Sequence, residues 1–212
     1  MGFEDRKFLE AAQEIDNIKL DGYEFFTESV KESVECKIYR KHVETSGLYE
    51  YKIMGSLEDV GPDVCKQVYM DLEYRKKWDE YVKELYECDD EGVQSIYWNV
   101  NYPWPMSNRD YIYKRALREL EVNGIPTVVV LAESNTACHL LFLKRLKTIM
   151  FLSTLSLHSF FISAFMHCFD NPGGLIPTWL INWATKTGVP SFMNSMRSAC
   201  LGYEEYISSK TT

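Results

Sequence analysis

The chain has 212 residues, of which 46% are hydrophobic and 25% charged, and this suits one globular domain with a sizeable core. Its 31 acidic and 23 basic residues give a net charge of −8, which argues against nucleic acid as a partner. The N-terminal stretch lacks the apolar core of a signal peptide, and the six cysteines include no CxxC pair. We therefore expect reduced thiols in a cytoplasmic protein.

The N-terminal part of the sequence predicts one helix, three strands and two further helices. Apolar residues at helical spacing predict an amphipathic helix over residues 3–15. Strand-like runs follow at 23–30, 35–41 and 49–57. Pro62 suits the first turn of a helix, and Asp71 is a candidate N-cap for a short second helix that ends near Trp78.

The remaining elements are two hairpins and a long terminal helix. The strands of the two hairpins are predicted at 82–87 with 93–101 and at 110–120 with 127–133. The C-terminal helix is predicted to start at Pro177, and Pro190 is expected to kink or divide it. This order predicts an α+β fold in which an antiparallel sheet grips the terminal helix.

One stretch, from Tyr69 to Tyr113, combines a cation with many aromatic side chains. Arg75 lies among tyrosines and tryptophans, and a carboxylate, Asp79, follows four residues later. A guanidinium can bind a phosphate through two parallel hydrogen bonds, and aromatic faces attract a quaternary ammonium. The mixture suits a ligand with an anionic group beside a cationic one, such as a phosphocholine head group.

The chain resembles the START lipid-transfer family in four segments: SGLYEYKIMGSLEDV (46–60), VYMDLEYRKKWDEYVKELYE (68–87), YWNVNYPWPMSNRDYIY (97–113) and FDNPGGLIPTWLINWATKTGVPSFMNSMRSAC (169–200). The resemblance implies one domain over residues 1–212, with a helix-grip fold and a lipid tunnel between the sheet and the terminal helix. It also implies a non-catalytic carrier that binds one phosphatidylcholine molecule and moves it between membranes. No further cofactor is expected.

The resemblance also implies roles for individual residues. Arg75 would bind the lipid phosphate while Asp79 holds its guanidinium, and Trp98 and Tyr111 would form a cage around the choline ammonium. Tyr69 would either reach the phosphate or pack its helix. The alternative for Arg75 and Asp79 is an exposed helix ion pair, and the alternative for the aromatic residues is ordinary core packing.

Two tryptophans of the terminal helix, Trp179 and Trp183, are candidates for a membrane-facing gate, with core packing as the alternative. The resemblance implies that this helix moves to admit lipid during transient contact with a membrane, and that the carrier is a monomer. No metal is expected, because the adjacent pairs Cys138-His139 and His167-Cys168 lack the spacing of zinc ligands.

One block, residues 137–168, is atypical. It contains no Asp, Glu, Gly, Pro, Asn or Tyr, although the family would place strands, a turn and the third aromatic wall of the cage there. The favoured interpretation is a variant exon or an out-of-frame translation, because both flanks match the family. The alternatives are a membrane-inserting helix within 148–169, and divergent buried strands, which the pattern supports better for 160–168 than for 137–159.

Two other functions follow from these alternatives. A splice-type variant that cannot transfer lipid could act as an interaction protein, or associate marginally with membranes through residues 148–169. A small enzyme with the same fold would need an acid/base pair inside the tunnel, and the sequence offers none.

Overall fold

The computed structural model describes residues 3–31, 33–134, 145–154, 161–171 and 177–210, with the backbone alone for residues 145–154. The helices within these ranges are α1 (Asp5–Asp16), α2 (Pro62–Met70), α3 (Leu72–Trp78), α4 (Thr178–Trp183) and α5 (Val189–Lys210), with a π-helical segment, Ala184–Gly188, between the last two. The strands are β1 (Glu24–Lys31), β2 (Val34–Val43), β3 (Leu48–Glu58), β4 (Val82–Asp90), β5 (Val93–Val100), β6 (Arg109–Val122), β7 (Ile125–Ser134), β8 (Arg145–Thr154) and β9 (Phe161–Asn171).

All the described strands join one antiparallel sheet in the order β1-β2-β3-β9-β8-β7-β6-β5-β4. Strand β9 pairs with β3 on one side and with β8 on the other, so it connects the N-terminal strands to the later hairpins. The predicted α+β fold, an antiparallel sheet with a long terminal helix, is confirmed. None of the helices in the described ranges has both the length and the apolar character needed to cross a membrane.

Local sequence signals account for several boundaries. The Asp71 side chain accepts a hydrogen bond from the Tyr74 backbone N–H at 2.8 Å, so the predicted N-cap of α3 is confirmed. Asn123 and Gly124 have φ angles of 52° and 77°, and they connect β6 to β7. Two successive residues with positive φ match the right-handed twist of a hairpin, which explains the Asn-Gly pair.

The terminal helix is divided near Pro190, as predicted. Helix α4 starts one residue after Pro177, and the π-helical segment separates it from α5. Pro190 lies at the second position of α5, where its missing N–H interrupts the backbone ladder. A wide turn at such a break is a common way for a long helix to continue past proline.

The atypical block contributes two strands to the middle of the sheet. Strand β8 pairs with β7 and β9 along its length, and residues 161–168 belong to β9. The membrane-helix alternative for 148–169 is therefore wrong, and strands also form in 145–154, where the sequence pattern supported them weakly. The variant-exon interpretation concerns the origin of the block and stays a prediction.

Helices cover both faces of the sheet. Alternate residues of β7 point to opposite sides: Val129 and Leu131 pack with α1 through Phe8, while Val128 and Val130 join the cluster that contains α2 and α5. A small apolar cavity of about 30 Å³ lies between β3, β9 and α5, and its lining includes Ile53, Leu57, Met166, Phe192 and Met196. The cavity has the location predicted for the tunnel.

Candidate functional site

Arg75 and Asp79 form a buried ion pair at the end of α3. Arg75 is 5% exposed and Asp79 is 4% exposed. The Arg75 Nε donates to Asp79 Oδ2 at 2.9 Å, and Asp79 Oδ1 accepts from the Tyr81 backbone N–H at 3.0 Å. The exposed-pair alternative is therefore wrong, because both charged groups lie inside the protein, where a charge is tolerated only with a partner.

The guanidinium of Arg75 remains charged despite its burial. Burial lowers the pKa of Arg75, but the Asp79 carboxylate, with smaller contributions from Tyr113 and Tyr69, outweighs this effect and raises the pKa above its ordinary value. A permanent cation is consequently present at this position at any physiological pH.

A second guanidinium, that of the partly buried Arg115 on β6, lies nearby. Its Nη1 and Nη2 donate to the backbone carbonyls of Tyr69 and Met70 at 2.9 and 3.0 Å, where α2 ends. Burial lowers the pKa of Arg115, and repulsion from Arg75 acts in the same direction. The sequence interpretation missed Arg115, although its two-residue spacing from Tyr111 and Tyr113 places it on their face of β6.

Tyr69 lies between the two guanidinium groups. Its ring centroid is 5.7 Å from the Arg75 Cζ and 5.5 Å from the Arg115 Cζ. The residue is only 7% exposed, so it both packs α2 and borders the cationic region. Two guanidinium groups and the buried carboxylate of Asp79 thus lie around this ring, and the exposed Glu87 carboxylate also acts on Arg115.

Trp98 and Tyr111 stand beside this charge and contact each other. They lie opposite one another on β5 and β6, which brings their rings to a centroid distance of 5.7 Å. The Arg75 Cζ is 4.9 Å from the Trp98 ring and 5.5 Å from the ring of Phe192 on α5. The structure thus brings the predicted cage residues together with Arg75, and the indole face already holds a cation.

Two donors in this region are enclosed and have no acceptor among the residues described. They are the indole Nε1 of Trp98 and the Nε of Arg115. An enclosed N–H without an acceptor is costly, so an acceptor atom of a ligand at this point would stabilise the site.

The aromatic wall ends at an acidic residue that the sequence interpretation missed. The Tyr111 hydroxyl donates to Asp170 Oδ2 at 2.9 Å, and the Tyr102 hydroxyl lies 3.2 Å from that of Tyr111. Burial raises the pKa of Asp170 to about 7, although the hydrogen bond from Tyr111 lowers it. Asp170 belongs to the FDNPGG segment, and no sequence pattern relates it to Tyr111. The two side chains meet only because the folded sheet brings the end of β9 close to the start of β6.

The two tryptophans of α4 have different surroundings. Trp179 is 45% exposed. Trp183 is partly buried, and its ring meets the edge of Tyr81 at a centroid distance of 5.7 Å. Trp183 packs against Tyr81, whereas Trp179 has the exposure that a membrane-facing residue needs, and the gate stays a prediction for both.

The described residues contain no group of three His, Cys, Asp or Glu side chains arranged to hold a metal ion. His167 instead lies between two carboxylates, with its Nδ1 3.0 Å from Glu14 and its Nε2 2.7 Å from Glu50. Cys138 and His139 lie outside the described residues.

The protein combines an α+β fold, in which a sheet grips a terminal helix, with a buried Arg-Asp pair and an aromatic wall. These features together define its class. The START domain family model matches residues 7–141, and the chain belongs to that family. It is 43% identical to the phosphatidylcholine transfer protein of Rattus norvegicus, over 96% of both chains. It is 42% identical to the phosphatidylcholine transfer protein of Homo sapiens, over 95% of both chains.

Solved structures show the same fold at low sequence identity. Human STARD10 superposes with a TM-score of 0.72 at 22% identity, covering 99% of this chain and 84% of that one. Human StAR-related lipid transfer protein 5 superposes with a TM-score of 0.67 at 13% identity, covering 94% and 97% of the two chains. These similarities concern the fold alone.

Proposed function

We propose that this protein is a non-catalytic, cytoplasmic carrier that binds one phosphatidylcholine molecule and transfers it between membranes. The relatives that share 42–43% identity over nearly the whole chain are named for this activity. The cysteines among the described residues are free thiols, which suits a reducing compartment.

The observation that carries the proposal is the pair of guanidinium groups beside enclosed donors. Arg75 and Arg115 both lie next to Tyr69, and the N–H groups of Trp98 and Arg115 have no acceptor among the described residues. A lipid phosphate would supply the missing acceptors and would be attracted by the guanidinium groups. The adjoining faces of Trp98 and Tyr111 would then meet the ammonium group of the same head group.

The acyl chains would enter the cavity between β3, β9 and α5. Its volume of about 30 Å³ is far below the roughly 300–1,000 Å³ of ordinary ligand pockets, so the cavity has to widen to hold lipid. Of its borders, α5 is the one that can move without breaking strand pairing. Burial of each chain methylene would contribute about 0.8 kcal/mol.

The membrane contact would involve the end of the molecule that carries Trp179. The loop after β5 presents Trp104, which is 91% exposed. That loop is fixed to Tyr81 by the Asn101 backbone N–H at 2.8 Å, and Tyr81 in turn contacts Trp183. These contacts connect the loop that carries Trp104 to the helix that carries Trp179, and both exposed indoles have the amphipathic character that suits a bilayer interface.

The direct test is a transfer assay between vesicles together with native mass spectrometry of the purified protein. We expect one bound phosphatidylcholine per chain and transfer above the protein-free rate. A protein that carries no phospholipid and accelerates no transfer would contradict the proposal.

Replacement of Arg75 tests the phosphate contact. Arg75→Ala is expected to reduce transfer to background, because both Nη atoms of the neighbouring Arg115 already bind backbone carbonyls and cannot replace the lost fork. Arg75→Lys is expected to retain little activity because the planar fork is lost. Arg118→Ala, at a half-exposed position of β6, is the matched control and should transfer normally.

Folding has to be separated from binding in this experiment. Removal of Arg75 leaves the Asp79 carboxylate buried without a partner, which typically costs about 3–5 kcal/mol. The double variant Arg75→Gln/Asp79→Asn removes both charges and should fold better while still failing to transfer. Normal transfer by a folded double variant would contradict the role of Arg75.

A further inference from the structure

The walls of the cavity between β3, β9 and α5 carry sulfur atoms. Three methionines line it, Met166 of β9 and Met193 and Met196 of α5, and these are called the cavity methionines below. The other lining residues within the described part of the chain have aliphatic or aromatic side chains, apart from Gly55. The thioethers are therefore the nucleophilic side-chain groups of this lining.

The thioethers of α5 are shielded from water and lie close to the sheet. Met193 is 8% exposed and Met196 is 4% exposed. A Cβ added to Gly55 would lie 3.4 Å from the Met193 sulfur, so this sulfur lies over a strand position that has no side chain. Oxidants dissolved in water have little access to these sulfurs, whereas a molecule inside the cavity lies next to them.

The sulfurs are spread along the cavity. A rise of about 1.5 Å per residue separates Met193 from Met196 by roughly 4.5 Å along α5. Met166 approaches from the sheet, where it pairs with Ile53 of β3. An acyl chain between the sheet and α5 would consequently pass a thioether at more than one of its carbons.

An unsaturated acyl chain can bring an oxidant into this cavity, because such chains form hydroperoxides in air. A thioether reduces a hydroperoxide in one two-electron step. The sulfur attacks the distal oxygen, the O–O bond breaks, and that oxygen stays on the sulfur as a sulfoxide. The hydroperoxide proton passes to the remaining oxygen, which stays on the chain as an alcohol, so no other oxidant or reductant takes part.

Binding favours this reaction over the same reaction in solution. A bound hydroperoxide and a wall thioether belong to one complex, so their encounter is no longer bimolecular and their effective concentration is high. The cavity also excludes water, which keeps competing aqueous reactions away from both groups.

We propose that the cavity methionines reduce phospholipid hydroperoxides that the protein carries, and that they become methionine sulfoxide in the process. The substrate class is phosphatidylcholine with a hydroperoxide on an unsaturated acyl chain. This inference rests on the proposed lipid-carrier function, since the reacting oxygen reaches the sulfurs only with a bound lipid. The reaction is stoichiometric, because each sulfur acts once until a sulfoxide reductase restores it.

The experiment loads the purified full chain from vesicles that contain phosphatidylcholine hydroperoxide, in a buffer with a metal chelator that suppresses radical reactions. Peptide mass spectrometry locates each sulfoxide, and chromatography measures the lipid alcohol. We expect equal amounts of alcohol and total sulfoxide, with about tenfold more sulfoxide at the cavity methionines than at Met54 or Met106. Met54 belongs to the cluster on the other face of the sheet, and Met106 lies in the loop after β5.

Two controls identify the source of the oxygen. Dilute hydrogen peroxide in water should oxidise the partly exposed Met106 before the buried Met193 and Met196. Phosphatidylcholine that carries a hydroxide in place of the hydroperoxide has no O–O bond, so it should oxidise none of the methionines above the level without lipid.

Leucine replacements test the sulfurs directly, because leucine nearly conserves the volume of methionine and removes the thioether. The triple variant Met166→Leu/Met193→Leu/Met196→Leu should form at most about a tenth of the wild-type alcohol per bound lipid. Native mass spectrometry measures the bound lipid, which separates loading from chemistry. Met54→Leu is the matched control and should form as much alcohol as the wild type.

Single variants keep the test valid if the triple variant does not fold. Met193→Leu and Met196→Leu should each slow the formation of alcohol per bound lipid and leave the sulfoxide on the remaining cavity methionines. An unchanged rate in both loaded single variants would contradict a role for the α5 sulfurs.

The outcomes separate this inference from the proposed function. A protein that holds the hydroperoxide without forming sulfoxide in the cavity, or that oxidises Met54 and Met106 equally, overturns the inference and leaves the carrier function standing. Undiminished alcohol formation by the loaded triple variant does the same. A protein that binds neither phosphatidylcholine nor its hydroperoxide overturns both.

Discussion

Buried charged side chains in this protein occur in networks that connect separate elements. Lys52, which is 6% exposed, has its Nζ 2.8 Å from both Glu14 Oε1 and the Lys19 carbonyl oxygen. The imidazole of His167 also contacts Glu14 and, on its other side, Glu50. Because Glu14 lies on α1 and the other side chains lie on β3 and β9, this network fastens α1 to the sheet.

Neutralisation of Glu14 should weaken the fold in a pH-dependent way. Burial raises the pKa of Glu14, but hydrogen bonds and charges from His167 and Lys52 outweigh it and hold the pKa at about 2, against an ordinary 4.5. The folded state therefore favours the ionised form, and this stabilisation is complete above pH 4.5 and is lost as the pH falls toward 2. After allowance for solvent screening, Glu14→Gln should cost about 2 kcal/mol at pH 7.

Urea unfolding at pH 7 and pH 3 measures this difference. The gap between wild type and Glu14→Gln should be smaller at pH 3 than at pH 7. Glu10→Gln, at an exposed ion pair with Arg6 on the same helix, should change stability by less than about 0.5 kcal/mol at either pH. An equal gap at both pH values would show that the Glu14 carboxylate does not stabilise the fold.

At the scale of elements, the contact between β3 and α5 depends on a glycine. A Cβ added to Gly55 would overlap the Met193 Cε of α5 and would come within 2.8 Å of the Glu35 carbonyl oxygen of β2. The flexible methionine could move, but the backbone carbonyl is held in the sheet. Gly55 thus allows α5 to lie close to the strands that border the cavity.

Two glycine substitutions should consequently have opposite effects. Gly55→Ala is expected to destabilise the protein by about 1–3 kcal/mol through overpacking. Gly202→Ala, inside α5, places its Cβ in ordinary contact, 3.5 Å from the Tyr74 hydroxyl, and should stabilise the protein by about 0.5–1 kcal/mol through helix propensity. Urea midpoints that shift in the same direction for both variants would contradict this account.

At the scale of the whole molecule, lipid uptake requires one part to open while the rest stays folded. The pairing of β3 with β9 and of β6 with β7 is continuous along those strands, whereas α4 joins α5 through a π-helical segment. Helix α5 is therefore the element whose displacement can enlarge the cavity at the smallest loss of backbone hydrogen bonds.

Hydrogen exchange in the presence of vesicles tests this movement. Amides of the π-helical segment and of the first turns of α5 should exchange about tenfold faster with phosphatidylcholine vesicles than without them, while those of β6 and β7 should not change. Uniform acceleration across the sheet would indicate global unfolding, and no acceleration in α5 would contradict its role as the mobile element.

Much of the fold and part of the site could be predicted from the sequence. Two-residue alternation, the Asn123-Gly124 turn and the cap at Asp71 are local signals, so the strands and helices that contain them were placed within a few residues. The Arg75 and Asp79 pair is also local, because it spans one helical turn. Strand β8 lacks turn residues at its ends and a clear alternation of apolar and polar residues, so its pattern resembled foreign sequence.

The sequence by itself determined the order of the elements outside residues 137–168 and the presence of a cation among aromatic residues, because these depend on neighbours along the chain. Only the tertiary structure decided that Arg115 joins Arg75 around Tyr69 and that Asp170 meets Tyr111, 59 positions away in sequence. Such contacts arise when β9 enters the sheet between β3 and β8. Pairing between distant strands depends on the packing of the whole molecule, and no local pattern records it.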